Sequence, residues 1–169
     1  MSRNLADAIA EQTEVLFINL ATAIKTCDMD YVLCGMPVWK HVYHALHSCD
    51  RWFINPDRYA EPSFHELNLN SLDHLSEKRL SREELQEFYL AVQRKITAYL
   101  SALTDDMLHE KPEGCKYNRM SLILGQFRHV CCHMGNINAT TIIATGKWPR
   151  CVGRDSSFPV DALYEYVPT

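Results

Sequence analysis

Between Met120 and Gly146 the chain carries a single charged side chain, Arg128, when histidines are counted as neutral. Its apolar residues Ile123, Phe127, Val130, Met134 and Ile137 recur three or four positions apart, the period of one helix face. Gly146, followed by Pro149, supplies a stop signal. A helix this long and this poor in charge is expected to be buried around most of its circumference, which demands other helices around it. Beside its apolar face runs a neutral polar stripe of Gln126, His129, His133, Asn136 and Thr140. Burying such groups costs roughly 2–7 kcal/mol each unless they are satisfied, so the stripe calls for a partner.

The rest of the sequence supplies those neighbours. Residues 4–26 place Ile9, Leu16, Phe17, Leu20, Ala21 and Ile24 at helical spacing without Gly or Pro. A break at residues 34–37 leads into a second helix, with Pro37 in its first turn and its end near Ile54, before Asn55 and Pro56. Residues 55–79 hold Pro56, Pro62 and few periodic apolar positions, and read as a long crossover or a lid. Ser81 and Glu84 spell a capping box. A third helix follows, with Leu85, Phe88, Tyr89, Val92, Ile96, Tyr99, Leu100 and Leu103 on one face. Residues 104–119, with Pro112 and Gly114, connect it to the fourth helix at 120–145. The residues from about 147 read as an irregular tail packed on the helices. The expected fold is all-α: one domain over residues 1–169, a four-helix bundle with a long crossover between the second and third helices.

Charge and composition exclude several functions. The 169 residues carry a net charge of −4, with Lys and Arg scattered singly, so no basic stripe exists to follow a phosphate backbone. No apolar run approaches the ~20 residues that span a bilayer. The first residues are charged too early and too often for a signal peptide, which points to the cytoplasm and reduced thiols. The seven cysteines are odd in number and form no CxxC pair. Most are expected to be small buried hydrophobes.

Histidines carry the chemistry. His129 and His133 are four apart, so their rings project from one helix face about 6 Å apart at Cβ, a spacing that suits two ligands on one metal ion. The same spacing also fits two ordinary core or surface histidines. In the second helix His41, His44 and His47 lie three apart and fan across neighbouring faces. Either His44 or His47 can supply a third nitrogen, or the set is a solvated polar face, since His44 and His47 lie away from the Val38, Val42, Ala45, Cys49 stripe. Periodicity does not choose between them, and it disfavours His44 if only one face of that helix is covered.

Two segments carry a family likeness: His44-Ala-Leu-His47-Ser-Cys-Asp50-Arg-Trp-Phe, and Arg128-His129-Val-Cys-Cys-His133-Met-Gly-Asn136. Their order resembles the DinB-like superfamily of helical bundles, which includes the YfiT type and thiol-dependent transferases. Its first motif is a histidine followed by apolar residues and an acidic residue, and its second is HxxxH followed by x-Gly and a polar residue. The resemblance implies a DinB-like four-helix bundle in which His44, His129 and His133 are the metal ligands, with His47 in reserve for the first. It implies a fold and a metal site more than a reaction.

Three neutral nitrogens would leave a coordination position open on Zn²⁺, Ni²⁺ or Fe²⁺. Water activation or thiolate binding there would suit a small-molecule substrate, by hydrolysis or by transfer involving a low-molecular-weight thiol. Gln126 and Asn136 are placed to orient a ligand ring or a bound water. Asp50, one turn from His47, is a hydrogen-bond or salt-bridge partner, and no general base emerges. Glu61-Pro62, Phe64 and His65 in the crossover, and Trp148-Pro149-Arg150 in the tail, belong to a crossover or a lid without an assigned chemistry. The alternative function is a non-catalytic metal-binding or ligand-sensing bundle working as a homodimer.

Overall fold

Side-chain caps start two of the long helices. The computed structural model describes residues 2–153 and 162–166. Helix α1 spans Asn4–Thr26, α2 Val38–Trp52, α3 Arg82–Ser101, the short α4 Asp105–His109, and α5 Arg119–Thr145. At the start of α3 the Ser81 hydroxyl accepts from the Glu84 amide at 3.2 Å and the Glu84 carboxylate accepts from the Ser81 amide at 2.7 Å, the expected capping box. Asn118 caps α5 by accepting from the Ser121 amide at 2.8 Å, and Gly146 closes that helix with φ of 68°, in the left-handed region.

Among the described residues the architecture is helical apart from two small antiparallel ribbons. Strands β1 (Val32–Leu33) and β2 (Met36–Pro37) form the turn into α2, and β3 (Trp148–Pro149) pairs with β4 (Tyr164–Tyr166). Helix α2 packs on α5 and α3, and α1 packs on α3 and α5, so each long helix touches two others. Phe17, Leu20, Ile24, Leu46, Phe53, Leu85, Ile96, Ile123, Val130 and Ile137 fill the space between them, all with 2% exposure or less. Fully burying a side chain of this kind contributes about 1.5–3 kcal/mol, so the apolar stripes account for the packing.

Several boundaries and environments differ from the sequence expectation. Helix α2 ends at Trp52 rather than near Ile54, because Asn55 accepts from the Asp57 amide and opens a 3-10 turn at Pro56–Arg58. Pro37 precedes α2 with an extended backbone instead of lying in its first turn. The connector before α5 contains α4, whose first turn carries Asp105 and Asp106. Of the tail, Asn19 on α1 holds Val152 through two hydrogen bonds, to its carbonyl at 3.0 Å and from its amide at 2.8 Å. Residues 154–161 and 167–169 of that tail lie outside the described residues.

Two burial expectations are corrected. Helix α5 keeps an open face: Leu124, Arg128, Cys131, Cys132, Gly135, Ala139 and Ile143 are exposed along it, so its low charge overstates how much of its circumference is buried. Most cysteines are not buried either. Cys27, Cys49 and Cys115 are, whereas Cys34, Cys131, Cys132 and Cys151 are exposed, and all seven are free thiols.

The long crossover, residues 55–79, lies against α2. Leu69 is fully buried, and Phe64 meets Phe88 edge-on with ring centroids 5.4 Å apart. Polar side chains along α2 hold the rest. The fully buried Lys40 donates to the His74 carbonyl at 2.6 Å, and the Tyr43 hydroxyl lies 2.8 Å from Nδ1 of His65. His44 and His47 reach Asn70 and Glu61 in the same way. The face of α2 that periodicity left open to solvent is therefore covered by a loop. Burial on this second side explains how so polar a helix is almost entirely enclosed.

Candidate metal centre

The packing of α2 on α5 brings three imidazoles together. His44 comes from α2, and His129 and His133 come from successive turns of α5. Ring centroids are 5.2 Å apart for His44 and His129, 4.7 Å for His44 and His133, and 4.6 Å for His129 and His133. One nitrogen from each ring lies within 4.8 Å of the others. An ion about 2.1 Å from each nitrogen needs separations of roughly 3–4 Å, within reach of small ring rotations.

Hydrogen bonding fits the ring set to this role. Nδ1 of His44 lies 2.7 Å from the Asn70 carbonyl, which can only accept, so Nδ1 carries the proton and Nε2 keeps its lone pair. Ligand histidines are commonly held by such a contact on the nitrogen away from the metal. Nε2 of His129 and Nδ1 of His133 are buried without a hydrogen-bond partner among the described residues. An unsatisfied buried polar atom costs about 1–3 kcal/mol, and coordination to an ion would remove that cost.

Burial keeps the two α5 rings neutral. Burial first, then the neighbouring His44, His129 and His41, push the His133 imidazole down to about 4. Burial and His44 lower His129 as well. Rings so crowded cannot all be protonated, and a neutral imidazole is the form that binds metal.

The remaining candidates fall elsewhere. His41 is buried with Nε2 3.0 Å from the Leu33 carbonyl, its ring 6.4 Å from that of His133. His47 is not part of the trio. Its Nε2 lies 2.6 Å from Glu61 in a separate cluster with His65. Gln126 accepts from the Ser48 hydroxyl at 3.3 Å, a link between α2 and α5 one turn from His129, and touches none of the three rings through that bond. Asn136 is exposed rather than turned into the stripe, so the polar row predicted on α5 ends at His133 and resumes only at the buried Thr140. Asp50 pairs with Lys95 of α3 at 2.6 Å, which makes it a salt-bridge residue.

The sequence reading missed Asn70. A main-chain carbonyl leaves no signature in a sequence, and only the course of the loop places it. Glu61 and His65 stood out as a segment without a chemistry, and their partner is His47. Beyond Gln126 a groove of about 580 Å³ opens between the end of α2 and the start of α5, lined by Trp52, Tyr117, Leu122, Gln126 and Arg128. None of the three histidines lines it.

No protein-family model matches the sequence, and neither a curated protein nor a solved structure matches it. No helix among the described residues is long and apolar enough to cross a membrane.

Proposed function

We propose that the four long helices form a bundle of the DinB-like type in which His44, His129 and His133 hold one divalent transition-metal ion. We further propose that the protein is a metal-dependent enzyme acting on a small molecule by hydrolysis or thiol-dependent transfer. The observation that carries this reading is the convergence of three imidazoles, one fixed by Asn70 and two with buried nitrogens that have no partner among the described residues. Imidazole suits Zn²⁺, Ni²⁺ and Fe²⁺ alike, so the donor set supports any of these. Three protein donors are the number that a catalytic site uses, whereas a structural zinc site is closed by four. Lewis acidity is what a bound ion supplies at such a centre.

The chain's own residues do the rest. The α2–α5 packing fixes the positions of the three rings, and Asn70 fixes the tautomer of His44. Arg128 on the wall of the separate groove beside Gln126 would favour an anionic group there.

A second reading is a non-catalytic metal-binding or ligand-sensing homodimer. The exposed face of α5, with Leu124 54% and Ile143 73% exposed, favours it. Turnover separates the two. The metal-loaded protein and its His133→Ala variant are screened against thiol adducts, esters and amides. The enzyme reading expects metal-dependent turnover that the variant loses. Absence of any metal-dependent turnover, with a dimer in sedimentation, sides with the second.

A further inference from the structure

The crossover builds a second set of metal donors on α2, distinct from the three-histidine cluster. His47 is buried, with its side chain 3% exposed and its Nε2 2.6 Å from Oε2 of Glu61. Nε2 of His65 lies 3.8 Å from the same carboxylate oxygen. The rings of His47 and His65 stack with centroids 4.8 Å apart and planes 21° from parallel. One donor atom from each of the three residues lies within 4.8 Å of the others. From this geometry we propose that His47, Glu61 and His65 form a second divalent transition-metal site, of the type with two imidazoles and one carboxylate.

Both rings are held at their far nitrogens. Nδ1 of His65 meets the hydroxyl of Tyr43, a residue with no exposed surface, at 2.8 Å. Nδ1 of His47 meets the side-chain amide of Asn70 at 3.3 Å. Ligand histidines in metalloproteins are oriented by contacts of this kind. In the metal-free arrangement Asn70 donates to Nδ1 of His47, so the imidazole proton sits on Nε2 and is donated to Glu61. With an ion on Nε2 the proton would sit on Nδ1, where a flipped Asn70 amide could accept it. The imidazole stays neutral throughout, and no proton is gained or lost.

Glu61 is suited to share the ion. Its other oxygen, Oε1, faces the Arg51 guanidinium at 3.8 Å, which leaves Oε2 to the histidines. The donors fit on spacing too: His47 stands on a packed helix, Glu61 and His65 lie four apart on the loop, and separations of up to 4.8 Å would have to close to roughly 3–4 Å on coordination. Two imidazoles and one carboxylate on one face leave the opposite positions open, a set that suits Fe²⁺, Mn²⁺ or Co²⁺ as well as Zn²⁺. Asn70 touches both clusters, through its carbonyl to His44 and its amide to His47. The two sites share no ligand, only the positioning residue Asn70, so this one is proposed without reliance on the three-histidine centre.

Zn²⁺ uptake by the metal-stripped full-length chain tests the proposal. Equilibrium dialysis with elemental analysis is run on the parent, Glu61→Gln, His65→Gln and His129→Ala/His133→Ala, with circular dichroism to check folding. The expected result is one ion retained by the double histidine variant, and a loss or about tenfold or greater weakening of one ion in Glu61→Gln and in His65→Gln. Uptake in both loop variants that matches the parent in number and affinity overturns the site. So does a double histidine variant that is folded yet binds no ion, because the hydrogen-bonded trio would then be structural only.

Discussion

The main-chain carbonyl of Asn70 stands 2.7 Å from Nδ1 of His44, and this contact decides which nitrogen of that ring keeps a lone pair. A residue in an irregular crossover thereby prepares a helix side chain for coordination. The expected outcome is a proton on Nδ1 of His44, both before and after Zn²⁺ is added. Long-range proton–nitrogen correlation spectra of the ring nitrogens report it. A proton on Nε2 of His44 in the metal-free protein would remove the loop from the account.

Acid should destabilise the metal-free fold well before the carboxylates titrate. An unfolded histidine titrates near 6.5, whereas burial holds His133 at about 4 and lowers His129, His41 and His47 in the folded chain. Between those values the unfolded chain binds more protons than the native one, so stability falls as pH drops from about 6.5 toward 4. These groups contribute their full stabilisation above 6.5. Urea midpoints at pH 7.5, 6.5, 5.5 and 4.5 should decline along that series, and a flat profile contradicts the burial of neutral rings.

Lys95→Met should cost about 2 kcal/mol of stability, because it leaves the Asp50 carboxylate without its 2.6 Å partner. The figure is held below that for a fully enclosed pair because the Lys95 side chain is 46% exposed. Urea denaturation at pH 7.5 measures it. A loss under about 0.5 kcal/mol would show that solvent or other groups already satisfy Asp50.

Ser81→Ala removes one half of the capping box at the start of α3 and should cost about 1 kcal/mol. Thermal unfolding of the variant beside Ser81→Asp, which keeps an acceptor at the cap, separates capping from packing. The account expects the aspartate to recover most of the loss.

The helices were legible because their signals are local. The 3.6-residue period of Leu85, Phe88, Tyr89, Val92 and Ile96, the Ser81–Glu84 box and the Gly146 stop each act within a turn or two. His129 and His133 were legible for the same reason, since i,i+4 geometry belongs to one helix. The choice between His44 and His47 was not, because it depends on what covers α2. Solvent on that face would have left both residues equivalent. The loop residues Asn70 and Glu61 instead distribute the two rings to different neighbours. The exposed face of α5 was misread because a low charge count was taken as burial, although neutral residues such as Cys131, Gly135 and Ala139 tolerate solvent without charge.

The central claim is that His44, His129 and His133 together hold one metal ion. Zn²⁺ titration of the metal-stripped parent beside His44→Ala and His129→Ala/His133→Ala tests it most directly, read as ions bound per chain. The account predicts that the double variant takes up one ion fewer than the parent, and that His44→Ala weakens that same ion. Equal uptake and affinity in all three proteins would contradict it and leave the trio as a neutral polar seam between α2 and α5.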